Sequence, residues 1–321
     1  LSAVTFLSPV QEEIKLVEER MRVQADETHP DLRAALEHLM AAGGKRVRPT
    51  LGLLVGNMLG APLQKLVTLG AAVEMLHTAT LVHDDLIDGA LLRRGMPTLN
   101  ARWSPPATVL TGDFLFARAA KLAAETDDLP LMKLFSETLA IIVNGELTQM
   151  FISRGLVNRD NYYKRIYAKT ASLFEMTARA AAMVSPADEE TIETMRDFGY
   201  QLGMAFQIVD DILDFNGDQA AVGKPLGSDL LSGMVTLPAI YFAELNPQDP
   251  DVLSLSNGGW TNHENMARLV EKIRAGSCTK KAMVEADKHI DNALNCLEGL
   301  EPSAERDALE NLAKYVVDRK L

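Results

Sequence analysis

Apolar residues recur at intervals of three and four along nearly the whole 321-residue chain, the period of helices that bury one face. In "VQEEIKLVEERM", Val10, Ile14, Val17 and Met21 fall on one side. "LRAALEHLMAAGG" stops at a glycine pair, a usual helix end. "SPADEE" predicts a helix start, with Ser185 as N-cap, Pro186 in the first turn and Asp188 as the acid of a partial capping box. Longer apolar-periodic runs cover roughly residues 62–88, 106–125, 129–153, 160–184 and 187–215. Alternating strand patterns and fixed-period repeats are absent. The pattern predicts an all-α chain, one large helix bundle in which residues 1–321 form a single domain.

Three breaks interrupt the runs, at 89–106, 216–233 and 246–259. The first two follow acidic motifs directly and carry basic residues. They read as loops that cover a ligand, because function concentrates on loops held by a rigid scaffold. The third separates a long helical body from a helical tail.

The polar exceptions to the apolar pattern carry the chemistry. In "FQIVDDILDF", Gln207, Asp210, Asp211 and Asp214 stand at i, i+3, i+4 and i+7 and form one stripe. Phe206, Ile208, Val209, Ile212 and Leu213 cover the rest of that helix. Burying unpaired carboxylates is expensive, and like charges this close stay ionised only beside a cation or water. "LVHDDLIDGA" repeats the spacing with Asp84, Asp85 and Asp88, and His77 lies two turns upstream on roughly the same face. Oxygen donors without thiols or clustered histidines favour a hard divalent cation, Mg2+ above Zn2+. One such motif could be a solvated face. Two, both in apolar surroundings and both followed by basic loops, form a site.

Basic groups are dispersed to match. "GGKRVRP" supplies Lys45, Arg46 and Arg48 beside two glycines, "LLRRG" supplies Arg93 and Arg94, "YAKTASLFE" supplies Lys169 and Thr170, and "VGKPLGSDL" supplies Lys224. A lone lysine in a helix ordinarily snorkels to the surface, and a basic pair after glycines is ordinarily a helix end. Taken with two acidic stripes, the set suits two diphosphates, one held through metal and one by cations directly. No serine or cysteine nucleophile sits beside a base. The remaining chemistry is stabilisation of a departing diphosphate.

Composition narrows the partners. A net charge of −12 excludes a general nucleic-acid role, which needs a basic surface. The two cysteines, Cys278 and Cys296, have no metal-like spacing, which suits a reducing compartment and predicts a cytoplasmic protein. No stretch reads as a transmembrane segment.

"GGKRVRP", "HTATLVHDDLID…RRG", "AKTASLFE", "FQIVDDILDF" and "GKPLGSDL", in this order, resemble the trans-isoprenyl diphosphate synthases, from about Gly43 to Pro238. The resemblance implies the type I isoprenoid synthase fold, with helices around a central cavity, a homodimer, and Mg2+-dependent head-to-tail condensation of isopentenyl diphosphate with an allylic diphosphate. It assigns Asp84, Asp85, Asp88, Asp210 and Asp214 to metal, with Asp211 behind them. Arg93, Lys169, Thr170, Gln207 and Lys224 would hold the allylic diphosphate. Lys45, Arg48, His77 and Arg94 would hold isopentenyl diphosphate, with Arg46 near. Catalysis would rest on Asp84, Asp85, Asp88, Arg93, Lys169 and Asp210. Met234 stands where the family often has a second loop lysine. The family blocks elongation with aromatics at the fourth and fifth positions before the first motif. Thr80 and Ala79 are small there, which predicts an all-trans product longer than geranylgeranyl, with Phe135 as a candidate floor. A geranylgeranyl-length synthase and a non-catalytic regulatory partner are the alternatives.

Overall fold

The computed structural model describes residues 4–26, 28–41, 43–151, 155, 158–216 and 226–319. Its helices are α1 (Val4–Leu7), α2 (Gln11–Arg22), α3 (Pro30–Ala41), α4 (Val47–Met58), α5 (Leu63–Ile87), α6 (Pro105–Ala124), α7 (Leu129–Phe151) and α8 (Arg159–Ile166). They continue as α9 (Ser172–Met183), α10 (Glu189–Asn216), α11 (Ser228–Leu231), α12 (Leu237–Leu245), α13 (Pro250–Ser256), α14 (His263–Ala275), α15 (Cys278–Leu297) and α16 (Ala304–Asp318). The apolar-periodic runs thus became helices, with Val10, Val17 and Met21 buried as the first pattern requires.

Two long helices organise the interior. α5 packs against α2, α4, α6 and α9, whereas α10 packs against α9 and α15. Each ends in one of the acidic motifs, so the packing that buries their apolar faces also fixes the carboxylates. By length and composition alone α5 could cross a membrane, contrary to the sequence reading, but 72% of its most apolar window is buried in the protein. It is apolar on all sides because neighbours surround it.

Three local expectations needed correction. A two-residue hairpin, Leu92–Arg93 with Met96–Pro97, is antiparallel, too short to show an alternating pattern. Its turn residues Arg94 and Gly95 both have positive φ, 52° and 76°, the conformation that a tight hairpin demands. The cap of α10 is Asp188, whose Oδ1 accepts from Thr191 N at 2.9 Å. Ser185 instead turns back and donates to the Ala182 carbonyl at 2.7 Å, so the helix begins three residues later than predicted. The run over 160–184 is broken by a π-helical turn at Tyr167–Ala171, which joins α8 to α9.

That turn lies against α10 at Gly203. A Cβ there would sit 2.6 Å from the Ala171 Cα, so only glycine permits the approach. One helical turn further along α10 is Gln207.

Candidate active site

The π turn touches both acidic motifs. Lys169 Nζ lies 3.3 Å from Asp84 Oδ2 and 2.6 Å from Glu146 Oε1 on α7. Its neighbour Thr170 donates to Gln207 Oε1 at 2.5 Å. Adjacent residues of one distorted turn therefore bridge α5 and α10, as π bulges at functional sites often do. Burial disfavours the Lys169 ammonium, but Asp84 and Glu146 outweigh it and hold its pKa above the usual value.

In the first motif, Asp85 is buried and paired with Arg93. Arg93 Nε lies 2.8 and 3.0 Å from the two carboxylate oxygens, and a terminal guanidinium nitrogen lies 2.8 Å from Oδ1. Asp88 is exposed at the end of α5. In the second motif, Asp210 Oδ1 accepts from Arg319 at 2.7 Å, with a side chain still 40% exposed. Burial raises its pKa against the opposing pull of Arg319, Arg48 and Lys45. Asp211 is buried, accepting from Tyr162 Oη and Gln207 Nε2, each at 2.8 Å. Its pKa is pushed up to about 7 by burial and by the nearby charge of Asp229. Asp214 accepts from Ser228 N at 3.1 Å, Ser228 Oγ at 2.7 Å and Asp229 N at 3.2 Å.

An electropositive pocket adjoins these acids. His77 is held well below its usual pKa by burial, then by Arg48, Arg94, Arg93 and Arg46 in turn, so it is neutral at pH 7. Arg48 lies over the Phe174 ring at 4.7 Å, and its Nε is buried without a partner among the described residues. Burial lowers its pKa to about 10. Arg94 donates to the Gly43 carbonyl, which ties the hairpin to the glycine pair of the first basic motif. Lys45 lies 5.1 Å from the centre of the Tyr315 ring. Convergent arginines with an orphaned donor are a site for an anion.

The sequence-predicted residues are thus largely brought together. Arg46 lines the same pocket as His77, Arg93 and Arg94, but its guanidinium is already engaged, 2.9 Å from both Glu18 and Glu74, and clamps α2 to α5. Lys224 lies outside the described residues. Met234 is half-buried, its N–H donating to the Asp229 carbonyl at 2.8 Å. Ala79 is fully buried, Thr80 half-buried, and Phe135 is a fully buried core residue of α7. Sequence reasoning missed Arg319, Glu146 and Tyr162, each distant along the chain from the acid or cation that it touches.

No three carboxylate, histidine or cysteine side chains are gathered around one point among the described residues. Yet the donor set fits a hard divalent ion: it is all oxygen, and a protein cation stands beside Asp84 and beside Asp210 where positive charge is needed.

Comparison with known proteins agrees. Residues 29–273 match the family model for polyprenyl synthetase. The chain is 37% identical to a prenyl transferase of Synechocystis over 99% of both chains. It is 39% identical to the all-trans-nonaprenyl-diphosphate synthase (geranyl-diphosphate specific) of Rhodobacter capsulatus, over 88% of this chain and 87% of that one. A polyprenyl synthase of Caulobacter crescentus, solved with calcium and isoprenyl diphosphate, superposes with a TM-score of 0.92 at 32% identity, covering 100% of this chain and 98% of that one. Fold, site and similarity agree that this chain belongs to the polyprenyl synthetase family and is a prenyltransferase of the all-α isoprenoid synthase fold.

Proposed function

We propose that the protein condenses isopentenyl diphosphate with an allylic diphosphate primer, head to tail and with Mg2+, to make an all-trans polyprenyl diphosphate longer than geranylgeranyl. The observation that carries this reading is the π turn, with Lys169 on one acidic motif and Thr170 on the partner of the other. The allylic diphosphate lies there, held by Arg93, Lys169 and Gln207, to which Thr170 gives its hydroxyl, and Lys224 is proposed to add a further positive charge. Isopentenyl diphosphate occupies the arginine-rich pocket of Lys45, Arg48, His77 and Arg94.

Asp84, Asp85, Asp88, Asp210 and Asp214 are the proposed metal ligands, and Asp85 and Asp214 must release part of their present bonding to serve. Bound there, divalent ions would supply positive charge to the departing diphosphate. The allylic C–O bond breaks and its electron pair leaves with the diphosphate. The isopentenyl double bond then attacks the allylic carbon, and a proton passes to the released diphosphate. Lys169 and Arg93 keep positive charge at the leaving group, while the apolar walls of α5, α9 and α10 keep water from the cation.

Product length is set by α5 one turn before Asp84. Ala79 and Thr80 leave that wall low, and the long-chain product named for the Rhodobacter relative supports the same direction. Phe135 is the proposed floor. A homodimer is the proposed assembly. Leu110 on α6, with Val143, Leu147 and Met150 on the adjoining α7, are large apolar side chains left exposed, the usual mark of an interface. The protein is proposed to work in the cytoplasm, as its free cysteines suggest.

Incubation with isopentenyl diphosphate, Mg2+ and primers of increasing length, followed by product sizing, tests the reading. Condensation beyond geranylgeranyl length is expected, and no product from any primer refutes the function. Thr80→Phe is the cleaner length probe and should shorten the product. Ala79→Phe should do so as well, but a phenyl at a fully buried position adds an overpacking cost of about 1–3 kcal/mol.

A further inference from the structure

Asp211 has the spacing of a metal ligand, yet its carboxylate is buried and each of its oxygens accepts from a protein donor. Tyr162 Oη donates to Oδ2 and Gln207 Nε2 to Oδ1, each at 2.8 Å. Continuing the chain, Gln207 Oε1 receives the Thr170 hydroxyl at 2.5 Å. Donor and acceptor identities propagate along it. The two donors favour the ionised form of Asp211 against the burial that raises its pKa, and an ionised carboxylate only accepts, so the Gln207 atom facing it is the amide nitrogen. The amide oxygen must then face Thr170, whose hydroxyl has to donate. One amide N–H of Gln207 is left for the cavity. A freely rotating glutamine could present either its oxygen or its nitrogen to an anion; this one is keyed.

The key itself is held rigidly. Tyr162 is fully buried on α8, with the ring of Tyr163 edge-on at 5.3 Å and the Arg165 guanidinium 5.5 Å over its face. Its hydroxyl therefore has one address. Without it, Asp211 keeps a single donor and its carboxylate can turn about the side-chain bond, so Oδ1 no longer dictates the amide.

We infer that Tyr162 is a positioning residue for prenyl transfer: acting through Asp211, it locks the Gln207 amide so that an N–H, and not the carbonyl oxygen, meets the allylic diphosphate. This rests on the function proposed above, which places that diphosphate at Gln207. Tyr162 touches no substrate and is not a catalytic residue.

The test is steady-state kinetics on Tyr162→Phe, Gln207→Ala and the double variant, with melting temperatures for each. Tyr162→Phe should raise KM for the allylic primer about tenfold, the loss of one hydrogen bond to a charged group. KM for isopentenyl diphosphate should not change. Gln207→Ala should raise the primer KM at least as much, and adding Tyr162→Phe to it should change nothing more, because the two act in series. Additive effects in the double variant, or parallel rises in both KM values, would mean a general structural role and overturn the proposal. An unaltered primer KM in Gln207→Ala overturns it too, even if Tyr162→Phe does not fold. Wild-type protein that condenses nothing would refute the function itself, whereas failure confined to the double-variant cycle counts against Tyr162 alone.

Discussion

The two acidic motifs share one spacing and differ in nearly every contact. At the end of α5, the leading acid Asp84 pairs with Lys169, the second acid Asp85 is clamped by Arg93, and Asp88 lies exposed. In α10, the leading acid Asp210 pairs with Arg319, the second acid Asp211 is buried between Tyr162 and Gln207, and Asp214 binds the start of α11. In both, the leading acid is neutralised by a long cationic side chain that can be displaced, while the second is fixed by well-aligned hydrogen bonds. The third positions diverge. A shared D-D-x-x-D spacing therefore encodes direction along a helix face, and the surroundings decide which acids are free to take a metal.

The leading acids should consequently be the most sensitive positions. Asp84→Ala and Asp210→Ala should each lower condensation by about a thousandfold, the scale for removing one preorganised electrostatic group. Circular dichroism should show the helical fold intact, since both side chains are partly exposed and not in the core. Loss of activity at one alone would break the symmetry between the motifs and confine the metal to one helix.

The second acids should respond less. Asp85→Asn keeps the shape but gives up the two-pronged pairing with Arg93, leaving that guanidinium free to drift from the diphosphate. A fall of roughly ten- to a hundredfold is expected, read mainly as a higher KM for the primer. A loss as large as that of Asp84→Ala would show that Asp85 is itself an indispensable ligand, and would separate it from Asp211.

How much of this the sequence could disclose follows from the range of each interaction. Helices with a repeating apolar face announce themselves within a dozen residues, so α5, α7 and α10 were legible almost to their ends. The acids were legible too, because charge inside an apolar run demands a reason. Their partners were not. Asp211 meets Tyr162 across 49 residues of sequence, and Asp210 meets Arg319 across 109. No local pattern selects one tyrosine or one terminal arginine among the others. The π turn was invisible for another reason: it lies where Ala171 packs against Gly203 of α10, and its sequence reads as ordinary helix. The Asp188 cap was missed because Ser185, an equally good capping residue, stands three positions earlier and spends its hydroxyl on the preceding helix.

Asp214 offers the finest test of the difference between the motifs, because it has two possible roles that respond oppositely to one atom. Helix α11 begins after Gly227, whose φ of 68° and whose missing side chain suit the turn. A Cβ there would meet Val270 at 2.4 Å, so glycine is required but cannot cap. The Asp214 carboxylate fills that gap by accepting the N–H groups of Ser228 and Asp229. Asp214→Ala should therefore cost about 1 kcal/mol of stability, as the loss of a cap does, a fall in Tm of about 2 °C. Asp214→Asn keeps an acceptor oxygen and should melt like the wild type. If Asp214 also binds metal, Asn and Ala should lose activity alike, despite their different stabilities, because neither supplies a charged oxygen. If its only task is to hold α11, activity should follow the melting temperature and Asn should retain it. The comparison of these two variants separates the cap from the ligand, and with it decides whether the second motif presents two acids to the metal or one.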